Sequence, residues 1–227
     1  MTGKEFAESL MDELKKMDFA NHPFAVKIRK GELSKSQVKE WGKQWYHGFL
    51  KDSDRWVAEA FVHCTDPVYR KALIENCYEE STGFHSKTKG HPALFREFLL
   101  TGLGITQEEL ERTESTPDAT ASLLNFWTIQ TVPWYQFGPL FVTSESQVPL
   151  AYLSVIEGLR KHYGVSEEAL TFFKIHVGEV DEEHSSWNLR VIEEQIINER
   201  DQAEARQILR TTAGLVWNLL NIYQRYN

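Results

Sequence analysis

The chain has 227 residues, with 25 Lys and Arg against 33 Asp and Glu and a formal net charge of −8. That length suffices for one large domain with a sizeable core, and the acidic balance argues against general nucleic-acid binding and against an anionic membrane surface. No apolar run approaches the roughly 18 residues of a membrane span, the N-terminus lacks a signal-peptide apolar region, and the two cysteines, Cys64 and Cys77, suggest no disulfide framework, so a reducing cytoplasm is the expected location.

Strand signals are nearly absent, and helical periodicity with helix-start signals recurs along the chain. Thr2 caps a first helix to about Phe19, with Phe6, Leu10, Leu14 and Met17 on one side. Asn21-His22-Pro23 breaks it, and His22 reads as a turn residue. Ser34-Lys-Ser-Gln37 is a capping box that opens a helix from Lys35 to about Cys64. Its aromatics, Trp41, Trp45, Tyr46, Phe49, Trp56 and Phe61, are expected to fill the core. Asp66-Pro67 caps a third helix that runs to Glu79-Glu80.

The polar, glycine-bearing segment from Ser81 to Gly90 reads as a loop, and His91-Pro92 opens a helix to Gly102. Thr106 to Glu109 is a capping box for a short helix, and Thr116-Pro117 starts one to about Gln130. A long helix follows from Pro133 to about Tyr163, with Gly164 as its left-handed cap. Within it Pro149 has no N–H, so the carbonyl of Glu145 loses its helical partner and a kink is expected there. Ser166 caps a helix to about Asn198, and Asp201 caps the last one. The expectation is a single all-α domain spanning residues 1–227 with about seven helices.

The helix from Ser166 carries His176-Val-Gly-Glu179-Val-Asp181-Glu-Glu-His184. A solvated acidic face with two incidental histidines is the plain reading. Imidazoles and carboxylates stacked over two turns also suit iron, manganese or zinc. On an ideal helix His176 and His184 lie about 80° apart, and His176 and Asp181 about 140°. A π-type turn between His176 and Asp181 would absorb one residue and align all three, and such turns are found mostly at functional sites. Gly178 inside that turn fits a distorted segment, and Glu179 is the alternative carboxylate if none forms. Adding Glu80, His91 and Glu145 gives three carboxylates and three imidazoles. That inventory matches two metals with one bridging carboxylate, for which Glu145 is the choice, and helical bundles build such sites from facing helices. His85 rivals His91.

These residues resemble the haem-oxygenase-like di-iron oxidases and oxygenases, relatives of the TenA/thiaminase and pyrroloquinoline-quinone-synthase folds. Val26 to Ser34 resembles the family's segment before its second helix. Glu79-Glu80 with Gly90-His91-Pro-Ala-Leu-Phe95 resembles its first Glu–loop–His pair. Glu145 to Pro149 with Tyr152 resembles the region of its third ligand, and His176 to His184 its His-Asp-His helix. Glu80 and His91 stand eleven residues apart, more than the family's usual spacing. The gaps from His176 to Asp181 and His184 are each one residue longer than usual.

The resemblance implies a haem-oxygenase-like bundle, a homodimer, and two irons held by Glu80, His91, Glu145, His176, Asp181 and His184, with Mn/Fe as the other metal content. It implies that dioxygen forms a peroxo-diferric species and a small molecule is oxidised, by N-oxygenation or oxidative C–C or C–N cleavage. Members that make aminobenzoate from their own tyrosine carry Tyr and Lys where this chain has Ala25, Ser144 and Val155. An external amine or amino-acid-like substrate is therefore expected, with Trp134, Tyr135, Phe137 and Phe141 as pocket candidates. The alternatives are a metal-free thiaminase-like hydrolase, for which Cys77 is the available nucleophile, and a helical interaction module without catalysis.

Overall fold

The computed structural model describes residues 1–177 and 179–226, and for 179–185 the backbone alone. Twelve α-helices and no strand occur among the described residues, more helices than the seven expected. They are α1 Gly3–Leu14, α2 Pro23–Lys30, α3 Lys35–Trp45, α4 Ser53–His63, α5 Pro67–Thr82 and α6 His91–Glu97. Then come α7 Gln107–Glu111, α8 Pro117–Trp127, α9 Phe137–His162, α10 Thr171–Ile175, α11 Glu179–Gln195 and α12 Glu199–Leu220.

The starts follow the local chemistry. Thr2 and Ser34 each form the full reciprocal capping box, and Asp66, Thr106 and Thr116 cap α5, α7 and α8 through their side chains. Each such cap is worth about 1 kcal/mol. Gly164 takes the left-handed conformation after α9. The last helix starts earlier than expected. Asn198 is its cap, and Asp201 lies inside the first turn, where it accepts from Tyr135 and Asn198.

Two expected helices are divided. The span from Lys35 to Cys64 splits into α3, a π-helical turn at Tyr46–Leu50, and α4. Gly48 sits in that turn, and a Cβ there would lie 2.8 Å from the Ala119 Cα, so the close packing of α8 fixes the distortion. The helix from His91 likewise passes into a π-helical turn at Phe98–Gly102. The span from Ser166 to Asn198 divides into α10 and α11, with His176 as the C-cap of α10 at φ −88° and ψ 0°. The expected π-type turn there, including Gly178, involves residues outside the description.

Helix α9 is the central element, packed against α2, α10, α11 and α12. It runs unbroken through Pro149. In the turns before the proline, Thr143, Ser144 and Ser146 donate their hydroxyls to the carbonyls of Pro139, Phe141 and Val142, a pattern that bends helices. One apolar cluster packs Trp41, Trp45, Phe95, Phe98, Tyr152, Phe172 and Phe173 around it, and a second joins α1 and α12 to Val142 and Ile192. Among the described residues no helix is long and apolar enough to cross a membrane.

Candidate metal centre

Glu80 stands near the end of α5, and the loop after it is fixed by local chemistry. Gly83 takes φ +66°, a left-handed turn that ends the helix. Glu79, 1% exposed, turns under the loop and accepts from the backbone N–H groups of His85 at 2.6 Å and Ser86 at 3.2 Å. Gly90 lets the returning chain press on α5, since a Cβ there would lie 2.3 Å from the Ser81 carbonyl oxygen. His91 then starts α6, with Pro92 in its first turn. The eleven-residue separation is thereby closed, and His91 Nδ1 lies 2.7 Å from Glu80 Oε1.

Carboxylates flank the buried His91 ring on both sides. Its Nε2 lies 3.4 Å from Glu79 Oε1, while Ser53 on α4 donates to Glu80 Oε2 at 2.9 Å. Burial opposes charge on the imidazole, but Glu80, and after it Glu79, push its pKa up to about 9. Burial would raise the Glu80 carboxyl; His91 and His176, with the Ser53 hydroxyl, hold it at about 2. Burial acts in the same sense on Glu79, and the Ser86 and His85 hydrogen bonds leave it below the usual carboxylate range. The pair is thus an anion and a proton-bearing imidazole.

His176 arrives from the other side. Its Nδ1 lies 2.7 Å from the Phe172 carbonyl. A carbonyl only accepts, so Nδ1 carries a proton and donates it there. The rings of His176 and His91 are 4.6 Å apart. One donor atom each from Glu80, His91 and His176 gathers within 4.8 Å.

An adjoining cavity of ≈ 60 Å³ is lined by Glu80 and His176, by Glu145 and Ser144 of α9, and by apolar side chains that include Phe49, Trp56, Val148 and Phe172. Asn188 on α11 donates to Glu145 Oε2. Tyr152 also faces the cavity, and its hydroxyl accepts from Trp45 Nε1 at 3.1 Å.

The donor set fits iron. Two imidazoles and one carboxylate with open positions form the facial set of non-haem Fe(II) oxygenases. A divalent ion bound between Glu80 and His91 would displace the proton they share. Glu79 beyond the His91 ring stands where an outer carboxylate would orient that imidazole if it held a metal.

Of the residues singled out from the sequence, Glu80, His91 and His176 come together, and Glu145 faces the same cavity. The side chains of Glu179, Asp181 and His184 lie outside the described residues. His85 is exposed, with its ring on Phe84. Trp134 packs on Tyr69 and Phe137, and Tyr135 donates to Asp201, so neither lines the cavity. Phe141 stands behind the wall, its ring 5.2 Å from Trp56. Missed from the sequence were Glu79 as a clamp and Asn76, Trp56 and Phe172 as lining. Asn76 and Phe172 each precede a proposed ligand by four residues on one helix face, a spacing that flags them.

Residues 39–217 match a family model described as iron-containing redox enzyme. A protein named 4-aminobenzoate synthase from Chlamydia pneumoniae is 26% identical over 220 residues, covering 95% of this chain and 93% of that protein. One of the same name from Chlamydia trachomatis serovar D is 31% identical over 189 residues, covering 82% and 79%. In fold, the chain is similar to a solved structure from Shewanella denitrificans described as a domain of unknown function with a haem-oxygenase-like fold. The TM-score is 0.77 at 15% identity, with 100% and 94% of the two chains covered.

Proposed function

The chain belongs to a family of iron-containing redox enzymes, and from that premise we propose that it is a dioxygen-dependent non-haem iron oxidase or oxygenase acting on a small substrate. The observation that carries this reading is the meeting of Glu80, His91 and His176 at the edge of an apolar cavity. In it those three residues would hold one iron. Asp181 and His184 would hold a second, with Glu179 as the alternative to Asp181, and Glu145 would be the carboxylate common to both. Bound iron supplies one-electron redox chemistry and a place for dioxygen.

The chain's own groups do the rest. Glu79 and Ser53 fix the orientation of His91 and Glu80, and the Phe172 carbonyl fixes the orientation of the His176 ring. Phe49, Trp56, Val148 and Phe172 line the cavity with apolar surface that excludes water and strengthens the electrostatics inside it. Substrate enters beside them, and an amine or amino-acid-like molecule is the proposed class.

The names of the Chlamydia relatives favour a second reading, formation of 4-aminobenzoate. Where the self-consuming members carry Tyr and Lys, this chain has Ser144 at the cavity and Ala25 and Val155 buried, although Tyr152 of α9 also lines the cavity. This supports an external substrate over a consumed side chain. For the hydrolase reading, Cys77 is not an activated nucleophile. Burial pushes the Cys77 thiol pKa up, and it donates to the Asp54 carbonyl at 3.7 Å.

The test is dioxygen uptake by the Fe(II)-loaded chain against a panel of small amines and amino acids, with intact mass measured afterwards. Uptake that needs a panel compound, with unchanged chain mass, is expected. Uptake without any added compound, together with mass lost from the chain, would establish the self-consuming reading instead. No uptake under any condition would contradict both.

A further inference from the structure

The Glu145 carboxylate reaches the cavity from α9, and one of its oxygens is engaged from the neighbouring helix. Asn188 on α11, 4% exposed, donates its side-chain N–H to Glu145 Oε2. An amide carries no charge, so it holds that oxygen without neutralising the carboxylate. A lysine or arginine in its place would do both.

The contact follows from how closely the two helices meet. A Cβ on Gly138 of α9 would lie 3.0 Å from the Asn188 carbonyl oxygen and 3.1 Å from Ile192 Cγ1. Gly138 stands seven residues before Glu145, two turns along the same face of α9. Val191 and Ile192, both fully buried, hold α11 on the next turn, and Glu194 further along accepts from Tyr69 of α5 at 2.7 Å. Packing thus fixes the backbone at Asn188, and its amide meets Glu145. His184 and Asp181 stand four and seven positions before Asn188 in α11, the spacing of one helix face.

We propose that Asn188 is a positioning residue that acts through Glu145 and makes the two ions bind in order. With Oε2 engaged by Asn188, Glu145 offers Oε1 to the ion at Glu80, His91 and His176. A carboxylate that spans two ions gives one oxygen to each, so the second ion takes Oε2 and breaks the amide hydrogen bond. Asn188 then becomes a buried donor that has lost this acceptor, a cost carried by the second ion and not by the first. This rests on reading Glu145 as the carboxylate common to both ions. A purely structural amide would behave differently: its loss would loosen α9 against α11 and weaken both ions together.

The test is anaerobic Mn(II) titration of the full chain, read by electron paramagnetic resonance. Loss of the free Mn(II) signal counts the bound ions, and a spin-coupled signal marks two bound ions that share a ligand. Asn188→Leu keeps the volume and removes the amide. In it the second equivalent is expected to bind about ten- to a hundredfold tighter, the worth of one hydrogen bond to a charged group. The first equivalent is expected to stay within about threefold, and the coupled signal to appear at correspondingly lower Mn(II). Should the leucine variant fail to fold, Asn188→Ser, whose hydroxyl is too short to span the gap, is expected to shift the second equivalent in the same direction. A second equivalent no tighter than in wild type, as when both ions sit on Oε1, or a joint weakening of the two, would overturn the proposal while leaving the two-ion reading intact. At most one bound ion in wild type and variants alike, with no coupled signal, would overturn the shared carboxylate itself and this proposal with it.

Discussion

Two His-Pro dipeptides, His22-Pro23 and His91-Pro92, stand at the starts of α2 and α6, and both imidazoles are buried. His22 uses Nδ1 to accept from the Phe24 N–H at 3.0 Å and packs its ring on Trp217. Burial pushes its pKa down to about 4, and the Trp217 backbone offsets this only in part. His91 meets Glu80 and Glu79, and despite its burial its pKa rises to about 9. The same dipeptide, equally buried, is a neutral cap in one place and a proton-bearing partner of carboxylates in the other. What separates them is the acidic pair at the end of α5, brought back by the loop from Gly83 to Gly90. Burial alone does not make a histidine a ligand; the charges it is buried among decide.

This contrast breaks most sharply under substitution. His91→Ala is expected to weaken Fe(II) binding by more than about 1,000-fold, roughly 4 kcal/mol, because it removes an imidazole donor. His22→Asn keeps a capping oxygen and is expected to leave iron affinity unchanged; anaerobic Fe(II) titration of both variants checks this.

Acid unfolding comes next in size. Below its ordinary pKa of 6.5, the unfolded chain protonates His22 while the folded chain refuses the proton until about pH 4. Stability from this residue is therefore complete above about pH 6.5 and is lost as pH falls towards 4, by about 3 kcal/mol in total. Urea unfolding of wild type and His22→Asn between pH 7 and 4 should show the variant losing less over that range.

Glu79→Gln tests the clamp behind His91. It removes the outer carboxylate and is expected to weaken Fe(II) binding by about 10- to 100-fold while the helices remain, as circular dichroism would show. The smallest effect is expected at the far end of the same helix. Asp66→Ala removes the cap of α5 and should cost about 1 kcal/mol in urea unfolding, with Fe(II) affinity unchanged within about twofold.

Much of the scaffold was legible because it is written locally. Thr2, Ser34, Asp66-Pro67, Thr106 and Thr116 start helices where their side chains reach the first-turn N–H groups. Glu80 and His91 were legible as a pair since a glycine-bearing loop joins two helix ends. The interruptions were less so. The π-helical turn at Tyr46–Leu50 depends on α8 pressing against Gly48, a contact between residues 71 positions apart. The division after α10 has no proline to announce it. The cavity wall was harder still, because Trp56, Asn76, Val148 and Phe172 lie on four helices whose facing sides only the packing decides. Trp134 and Tyr135 looked like lining because they are aromatic and near α9, yet Tyr135 is turned to Asp201 of α12.

The central claim is that Glu80, His91 and His176 hold iron. X-ray absorption at the iron edge of the Fe(II)-loaded chain tests it most directly, through the outer-shell scattering that imidazole ligands produce. The account predicts imidazole scattering in wild type and in His22→Asn, and a clear reduction in His91→Ala and in His176→Ala. Iron without imidazole scattering, or scattering unchanged in both of those variants, would contradict it.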